Sequence, residues 1–269
     1  MTPIILVRGS SDIGSAVALA LFRAGYFVFI HDSEKPAVTR RKMALCDAFF
    51  DGSAVLDGVS ARLFDDISEL AWRLQAHDLI PATAKDFDTV LSRLRPDVLI
   101  DARMRKHEYP EVQIALAPFT VGLGPNFTAG KTVHAAVETG WNDALGHVIW
   151  QGATRPLEGE PQTIGGHARE RYVYAPAAGI FRTPFKIGDR VSEGEEIARV
   201  GSIPLRARIS GILRGLTHDG VTVAYKTKVI EVDPRGDEAN IIGIGERPGR
   251  IAEGALQAVR AWESGRNSA

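Results

Sequence analysis

Ile4-Ile5-Leu6-Val7-Arg8-Gly9-Ser10-Ser11-Asp12-Ile13-Gly14-Ser15-Ala16 is a short apolar run that breaks at a glycine and restarts at once as a helical pattern. Ala16, Val17, Leu19, Ala20 and Leu21 carry that pattern, Gly25 closes it, and a second apolar run follows from Tyr26 to Ile30. Strand, glycine turn, helix, strand is the first half of a nucleotide-binding βαβ unit. Gly9 permits a tight turn, and Gly14 lets a ligand or the neighbouring strand approach closely. The free N–H groups at the helix start attract phosphate. Candidate contacts are therefore Arg8, Gly9, Ser10, Ser11, Asp12, Ile13 and Gly14. The spacing is Gly-x4-Gly and not the full Gly-x-Gly-x-x-Gly, so the fold is signalled more clearly than any cofactor. A glycine turn that merely starts an open α/β sheet is the plain alternative.

Composition narrows the class. In 269 residues, 45% hydrophobic and 24% charged with a net charge of −1, there is room for one large domain or two modest ones. A near-neutral balance argues against a nucleic-acid binder that relies on a basic field. The longest apolar run, Ala16 to Phe22, is far short of a membrane span. The chain enters a strand directly, with no charged and apolar leader, so a cytoplasmic protein is expected. A single cysteine, Cys46, rules out an internal disulfide and a cysteine-cluster metal site; a buried structural thiol is the expectation.

Beyond the second strand, Asp32 and Glu34 stand where dinucleotide folds place an acid on the ribose hydroxyls, though turn residues are often acidic too. Pro36 suits a helix's first turn, and the residues that follow are mostly helix formers. Arg40, Arg41 and Lys42 cannot all face one way on a helix, since each step turns about 100°. Arg40 with Arg41 is the best oxyanion pair, against the alternative of a solvated surface. Alternating helices and strands continue to Pro96–Ala102, which means a mostly parallel sheet. Asp101, at the carboxyl end of its strand, then lies on the ligand edge, with Arg103, Arg105 and Lys106 close behind.

A second glycine loop, Gly122-Leu123-Gly124-Pro125-Asn126-Phe127-Thr128-Ala129-Gly130, promises sharp turns and exposed amides. Its candidate contacts are Gly122, Gly124, Asn126, Phe127, Thr128 and Gly130. Lys131 to Thr139 alternates as a half-exposed strand with His134 and Glu138 on one face; a metal there lacks a third ligand, and none is expected. Gln151 to His167, rich in glycine, proline and threonine, reads as a linker.

The back half repeats itself. Ala175-Pro176-Ala177-Ala178-Gly179-Ile180-Phe181-Arg182 aligns with Ala207-Arg208-Ile209-Ser210-Gly211-Ile212-Leu213-Arg214 at an offset of 32 residues, and Gly188/Gly220, Val191/Val223, Ile197/Val229 and Val200/Val232 continue it. Each copy is two or three short strands unable to bury an apolar face alone, so two should clasp into a small flattened barrel. Residues 171–234 resemble the biotinyl/lipoyl-type barrel-sandwich domain. That family presents a modified lysine on a hairpin; here the position reads Val200-Gly201-Ser202-Ile203-Pro204-Leu205-Arg206, so neither biotin nor lipoate is implied.

Four phrases together resemble the selenium-dependent molybdenum hydroxylase system proteins, a bacterial accessory family. They are Arg8-Gly9-x-x-Asp12, the Glu34-Lys35-Pro36 to Lys42 segment, the Gly122–Gly130 loop, and Ala175-Pro176-x-x-Gly179-Ile180 through Asp233-Pro234-Arg235-Gly236. The resemblance implies a Rossmann-like domain over residues 1–155, a linker over 156–170, a barrel-sandwich domain over 171–236 and a C-terminal tail over 237–269, whose helical pattern runs from Ile251 to Trp262. It also implies a non-catalytic protein that binds a molybdopterin dinucleotide and matures a molybdenum hydroxylase client. One rival is an NAD(P)-dependent oxidoreductase with Asp32 on the ribose; it lacks a Tyr-x-x-x-Lys or a convergent histidine and acid. The other is an assembly scaffold whose crevice is filled by side chains such as Phe127. The barrel's edge strands and the tail helix could support a homodimer or cover the sheet, and covering is favoured.

Overall fold

The computed structural model describes residues 2–105, 108–156 and 161–267. The opening stretch forms β1 (Ile4–Arg8), α1 (Asp12–Arg23) and β2 (Phe27–His31). A short helix α2 (Ala48–Asp51) leads into a hairpin of β3 (Ser53–Leu56) and β4 (Val59–Leu63). Then come α3 (Ile67–Ala76), β5 (Ile80–Thr83), α4 (Phe87–Leu94), β6 (Val98–Asp101) and β7 (Phe119–Leu123). The two-residue strands β8 (Thr128–Ala129) and β11 (Gly152–Ala153) pair off to one side, while β9 (Ala135–Val137) and β10 (Val148–Ile149) extend the main sheet. That sheet runs β10-β9-β7-β6-β1-β2-β5-β4-β3, parallel throughout except at its two outer pairs.

Chain order reverses at β1, with β2 on one side and β6 on the other. Open parallel sheets leave a crevice at such a point, outside the carboxyl ends of the strands. The register there brings Thr83, His31, Arg8, Asp101 and Gly122 into one row across five strands. Strand alternation assigns the two faces. Ile5 and Val7 pack under α1 and the C-terminal helix α5 (Glu246–Asn267), whose Ile251, Ala252, Ala255, Ala258 and Val259 are buried with them. Leu6, Phe29 and Leu99 face α3 and α4, meeting Leu70, Leu74, Val90 and Leu94. Asp66 and Asp86 cap those two helices through the amides of Ser68 and Thr89.

The repeat builds the second half. Its strands are β12 (Tyr172–Tyr174), β13 (Gly179–Arg182), β14 (Arg190–Val191), β15 (Glu196–Val200), β16 (Ile203–Arg206), β17 (Gly211–Leu216), β18 (Thr222–Val223) and β19 (Lys228–Asp233). They form two four-stranded antiparallel sheets, β12-β19-β17-β14 and β16-β15-β13-β18. The copies exchange strands: β14 of the first pairs with β17 of the second, and β18 of the second pairs with β13 of the first. Phe181, Ile197, Leu213, Val229 and Val232 close one shared apolar core. Neither copy could complete its own sheet, which is why the motif occurs twice.

Three local expectations need correction. No α-helix follows Pro36; only a 3₁₀ turn forms at Arg41–Met43. Arg40, Arg41 and Lys42 are instead drawn to partners on the second half, and those long-range bonds outweigh weak local helix preference. Cys46 lies in a loop between that turn and α2, fully buried. The strand expected over Lys131–Thr139 shrinks to Ala135–Val137, because Thr128–Thr132 closes a tight backbone turn. The tail helix is longer than expected and covers the sheet through packing against α1. No helix among the described residues is long and apolar enough to cross a membrane.

Candidate functional site

The glycine turn is packed too tightly to hold a ligand by its first amides. Gly9 has a φ of +114°, and a side chain there would meet the Ala102 backbone at 3.0 Å; a Cβ on Gly14 would lie 2.0 Å from the Gly9 carbonyl oxygen. Both glycines serve the contact between β1, α1 and the end of β6. Gly9 N–H donates to the His31 carbonyl, and Ser10 donates both its N–H and its Oγ–H to Asp32 Oδ2 at 2.7 Å. Asp32 Oδ1 accepts from Ser33 N–H. The expected phosphate role of Gly9 and Ser10 and ribose role of Asp32 therefore give way to a closed internal turn. Ser15 locks it further, donating to the Ser10 carbonyl and accepting from Leu45 N–H.

The start of α1 is different. Ser11 has the extended backbone of an N-cap but makes no side-chain cap, and its buried Oγ has no partner. Helix geometry leaves the Asp12, Ile13 and Gly14 amides without intrahelical acceptors. Directly outside them lies a seam between the two halves of the molecule. Arg40 bridges it, donating through Nη1 to Asp12 Oδ2 at 3.0 Å and through Nε and Nη2 to Glu231 Oε2 and Oε1 at 2.9 and 3.0 Å.

Glu231 is fully buried and also accepts from Arg171 Nη1 at 3.2 Å, Arg214 Nη1 at 3.1 Å and Lys228 Nζ at 3.3 Å. Burial alone would raise its pKa, but Lys228, Arg40 and Arg214 hold it well below the usual carboxylate range. Asp12 is likewise held down against burial by Arg40, Lys228 and Arg247. Arg247, from the start of α5, donates to the Thr139 carbonyl and has no carboxylate hydrogen-bond partner among the described residues. Five cations thus gather around two carboxylates at the mouth of a helix N-terminus. Burial lowers the pKa of Lys228, Arg214 and Arg247, and the nearby charge of Arg40 lowers each further. Arg41, expected to share the clamp, is used elsewhere: it holds Asp47 and the Leu216 carbonyl.

A second charged cluster occupies the α3–α4 face of the same edge. Asp101 is 1% exposed and accepts from Arg103 Nε at 3.0 Å, Arg103 Nη2 at 2.5 Å, Arg105 Nη2 at 3.3 Å and Gln113 Nε2 at 2.6 Å. Burial would raise its pKa, yet Arg103 and Gln113 keep it below the ordinary value. Arg8 lies over the Phe87 ring at 3.6 Å and donates to Glu111. The pKa of His31, beside Arg8 in the register, is lowered by burial. Lys106 lies outside the described residues.

The second glycine loop splits. Gly122 is covered by the Phe127 ring, which would clash with any side chain there. Phe127, Ala129, Val133 and Ala136 form a small apolar cluster, and Thr128 and Gly130 belong to a backbone turn. Asn126 Nδ2 donates to the Glu108 carbonyl. Only Gly124 reaches toward the seam: it packs near Met104 and Thr139, and Thr139 holds Arg247. His134 and Glu138 do not converge, since His134 Nδ1 accepts from Thr120 N–H and Glu138 from Arg155 N–H. Among the described residues no group of three or more His, Cys, Asp and Glu could hold a metal ion.

Sequence reasoning missed Glu231, Lys228, Arg171, Arg214, Arg247, Glu111 and Gln113. One signal was present. At the repeat offset, Glu196 and Arg199 of the first copy become Lys228 and Glu231 in the second, with the charges reversed. The first pair is a half-exposed ion pair, and the second is turned inward onto the seam.

No family model matches the chain. It is 38% identical over 256 residues to an Escherichia coli (strain K12) protein described as "Uncharacterized protein YqeB", a match covering 95% of this chain and 47% of that protein. The chain therefore spans about half the length of the curated relative it matches. Among solved structures it is similar to the ectoine utilization protein EutE (DoeB) from Ruegeria pomeroyi (14% identity, 87% and 85% of the two chains, TM-score 0.27). Another is a succinylglutamate desuccinylase/aspartoacylase from Rhodobacter sphaeroides (18% identity, 88% and 87%, TM-score 0.27). A third is an aspartoacylase family protein from Mesorhizobium loti (13% identity, 87% and 85%, TM-score 0.26).

These findings correct the expected family. The similar solved structures are an ectoine utilization protein and succinylglutamate desuccinylase or aspartoacylase family proteins, not molybdenum hydroxylase accessory proteins or biotinyl/lipoyl domains. The maturation role, the molybdenum hydroxylase client and the biotinyl/lipoyl assignment fall with it. Likenesses this slight carry none of those enzymes' chemistry over to this chain.

Proposed function

We propose that the chain binds a small polyanion, of the phosphate-bearing class, in the seam where α1 begins. The nine-stranded sheet acts in this reading as a Rossmann-like platform, with the repeat half supplying cations from the opposite side. The observation that carries it is the charge imbalance: Arg40, Arg171, Arg214, Lys228 and Arg247 against Asp12 and Glu231. Buried like charges repel, and an arrangement of this kind is stable when an anion joins it. The first-turn amides of α1 and the unpartnered Ser11 Oγ–H supply donors, and the helix dipole adds to the field.

Each side chain has a separable part. Arg40 is fixed on both carboxylates and sets the distance between the halves. Lys228, at 3.3 Å from Glu231, and Arg247, bonded only to the Thr139 carbonyl among the described residues, are the cations least matched by carboxylates and would meet the ligand. Asp12 is held ionised and orients Arg40 rather than accepting from the anion. Ligand binding would therefore tighten the seam.

Isothermal titration with inorganic pyrophosphate tests this. Saturable binding is expected, weakened about tenfold or more by Lys228→Ala and by Arg247→Ala, and falling with added salt because charge drives it. Absence of saturable binding, or variants that bind like the wild type, would remove the reading.

A further inference from the structure

Glu111 lies on three guanidinium groups at the other face of the edge. Its Oε1 accepts from Arg8 Nη1 at 2.8 Å and Arg103 Nη2 at 2.6 Å, and its Oε2 from Arg105 Nη2 at 2.5 Å. A carboxylate or phosphate ligand gripped by arginines has this geometry. All three arginines are held by groups other than Glu111, Arg105 by a longer bond of 3.3 Å to Asp101. Arg8 is stacked on Phe87, and Arg103 is fork-bonded to Asp101. Taking Glu111 away leaves three cations facing one carboxylate, Asp101.

Glu111 enters from the solvent side, as a ligand would. Its side chain is 43% exposed, whereas the three arginines are 16–25% exposed. Its neighbours Tyr109 and Val112 are exposed at 88% and 66%, while Pro110 and Gln113 are buried and anchor the segment on either side of it. Two buried acceptors nearby have no partner: Gln113 Oε1, on a fully buried side chain that donates to Asp101, and His31 Nδ1, next to Arg8 in the sheet register. Buried polar atoms are normally satisfied, and an orphan acceptor beside a cation cluster suits an anion that carries a donor of its own, as the O–H of hydrogen phosphate or a hydroxyl beside a carboxylate does.

We infer that Arg8, Arg103 and Arg105 form a second oxyanion site that the chain closes on itself with Glu111, and that a small carboxylate- or phosphate-bearing molecule takes Glu111's place. The site stands apart from the seam and does not depend on it. Burial alone would raise the Glu111 pKa, but the Arg103 and Arg105 contacts bring it down to about 2, so the plug stays charged at neutral pH and competes with any anion.

Glu111→Gln keeps the shape and removes the charge. By isothermal titration it should bind inorganic phosphate or succinate about tenfold more tightly than the wild type; the two probes distinguish phosphate from carboxylate ligands. The gain should vanish in Glu111→Gln with Arg103→Ala and persist in Glu111→Gln with Arg247→Ala, which separates this site from the seam. Equal affinities in wild type and Glu111→Gln for both probes, or a gain lost with Arg247→Ala and kept with Arg103→Ala, overturns the inference. A variant that does not fold is replaced by hydrogen exchange on the wild type. The Gln113 amide, bonded to the Thr132 carbonyl at 2.8 Å, should exchange faster with excess phosphate or succinate than with chloride at equal ionic strength. Unchanged exchange with both is the contrary result.

Discussion

At Gly14 a single methyl group is decisive. A Cβ there would sit 2.0 Å from the Gly9 oxygen and 3.3 Å from the Ala102 side chain, inside a turn with no slack. Gly14→Ala should cost about 3 kcal/mol or more, read from the urea midpoint, since overpacking against backbone cannot relax by a rotamer change. Glu231 is the other residue on which much depends. Glu231→Ala leaves Arg40, Arg171, Arg214 and Lys228 crowded without their shared anion, and breaking such a buried set costs about 3–5 kcal/mol. Thermal unfolding measures it, and pyrophosphate should restore part of the loss if an anion belongs in the seam. Cys46 is inert for the opposite reason: burial pushes its thiol well above its ordinary value. Disulfide reagents should label it only at the rate of unfolding, and labelling much faster than that would contradict the buried position.

Among the elements, α1 shows how much a short pattern can carry. Its apolar stripe, its glycine start and its place after β1 were all legible, because each rests on neighbours within a dozen residues. The segment after Pro36 shows the reverse. Helix-forming residues there lost to three cations reaching partners 145 to 191 residues away, among them Ile187, Leu216 and Glu231. Helix α5 is tied at its far end by Tyr26, whose hydroxyl donates to Glu263 Oε2 at 2.8 Å; burial and that carboxylate push the Tyr26 pKa up to about 12. Tyr26→Phe should cost about 1 kcal/mol and raise amide exchange in the last turns of α5, with little effect on β1.

Over the whole molecule the buried ion clusters, in the seam and beyond it, make stability depend on acid. Asp12, Asp101, Glu111, Glu231 and Asp233 are all held below their ordinary values in the folded state. Each group therefore binds a proton more readily when unfolded, and its contribution is complete above the ordinary carboxylate range. That contribution disappears as pH falls from about 5 toward 2. Denaturant melts across that window should show a steep loss of stability, shallower in Glu231→Gln, where one of the depressed groups is gone. A pH-independent stability in that range would contradict the ion network.

The sequence by itself determined the alternation of strand and helix, the parallel sheet whose carboxyl-end edge carries Asp101, and the doubled strand pattern of the back half. Those properties depend on periodicity and on turns, which are written in adjacent residues. Only the tertiary structure decided that Asp32 would close the glycine turn, that Arg40 would span to Glu231, and that Glu111 would cover three arginines. Charges find their partners by distance in space and by loss of solvent, and neither quantity can be read along the chain.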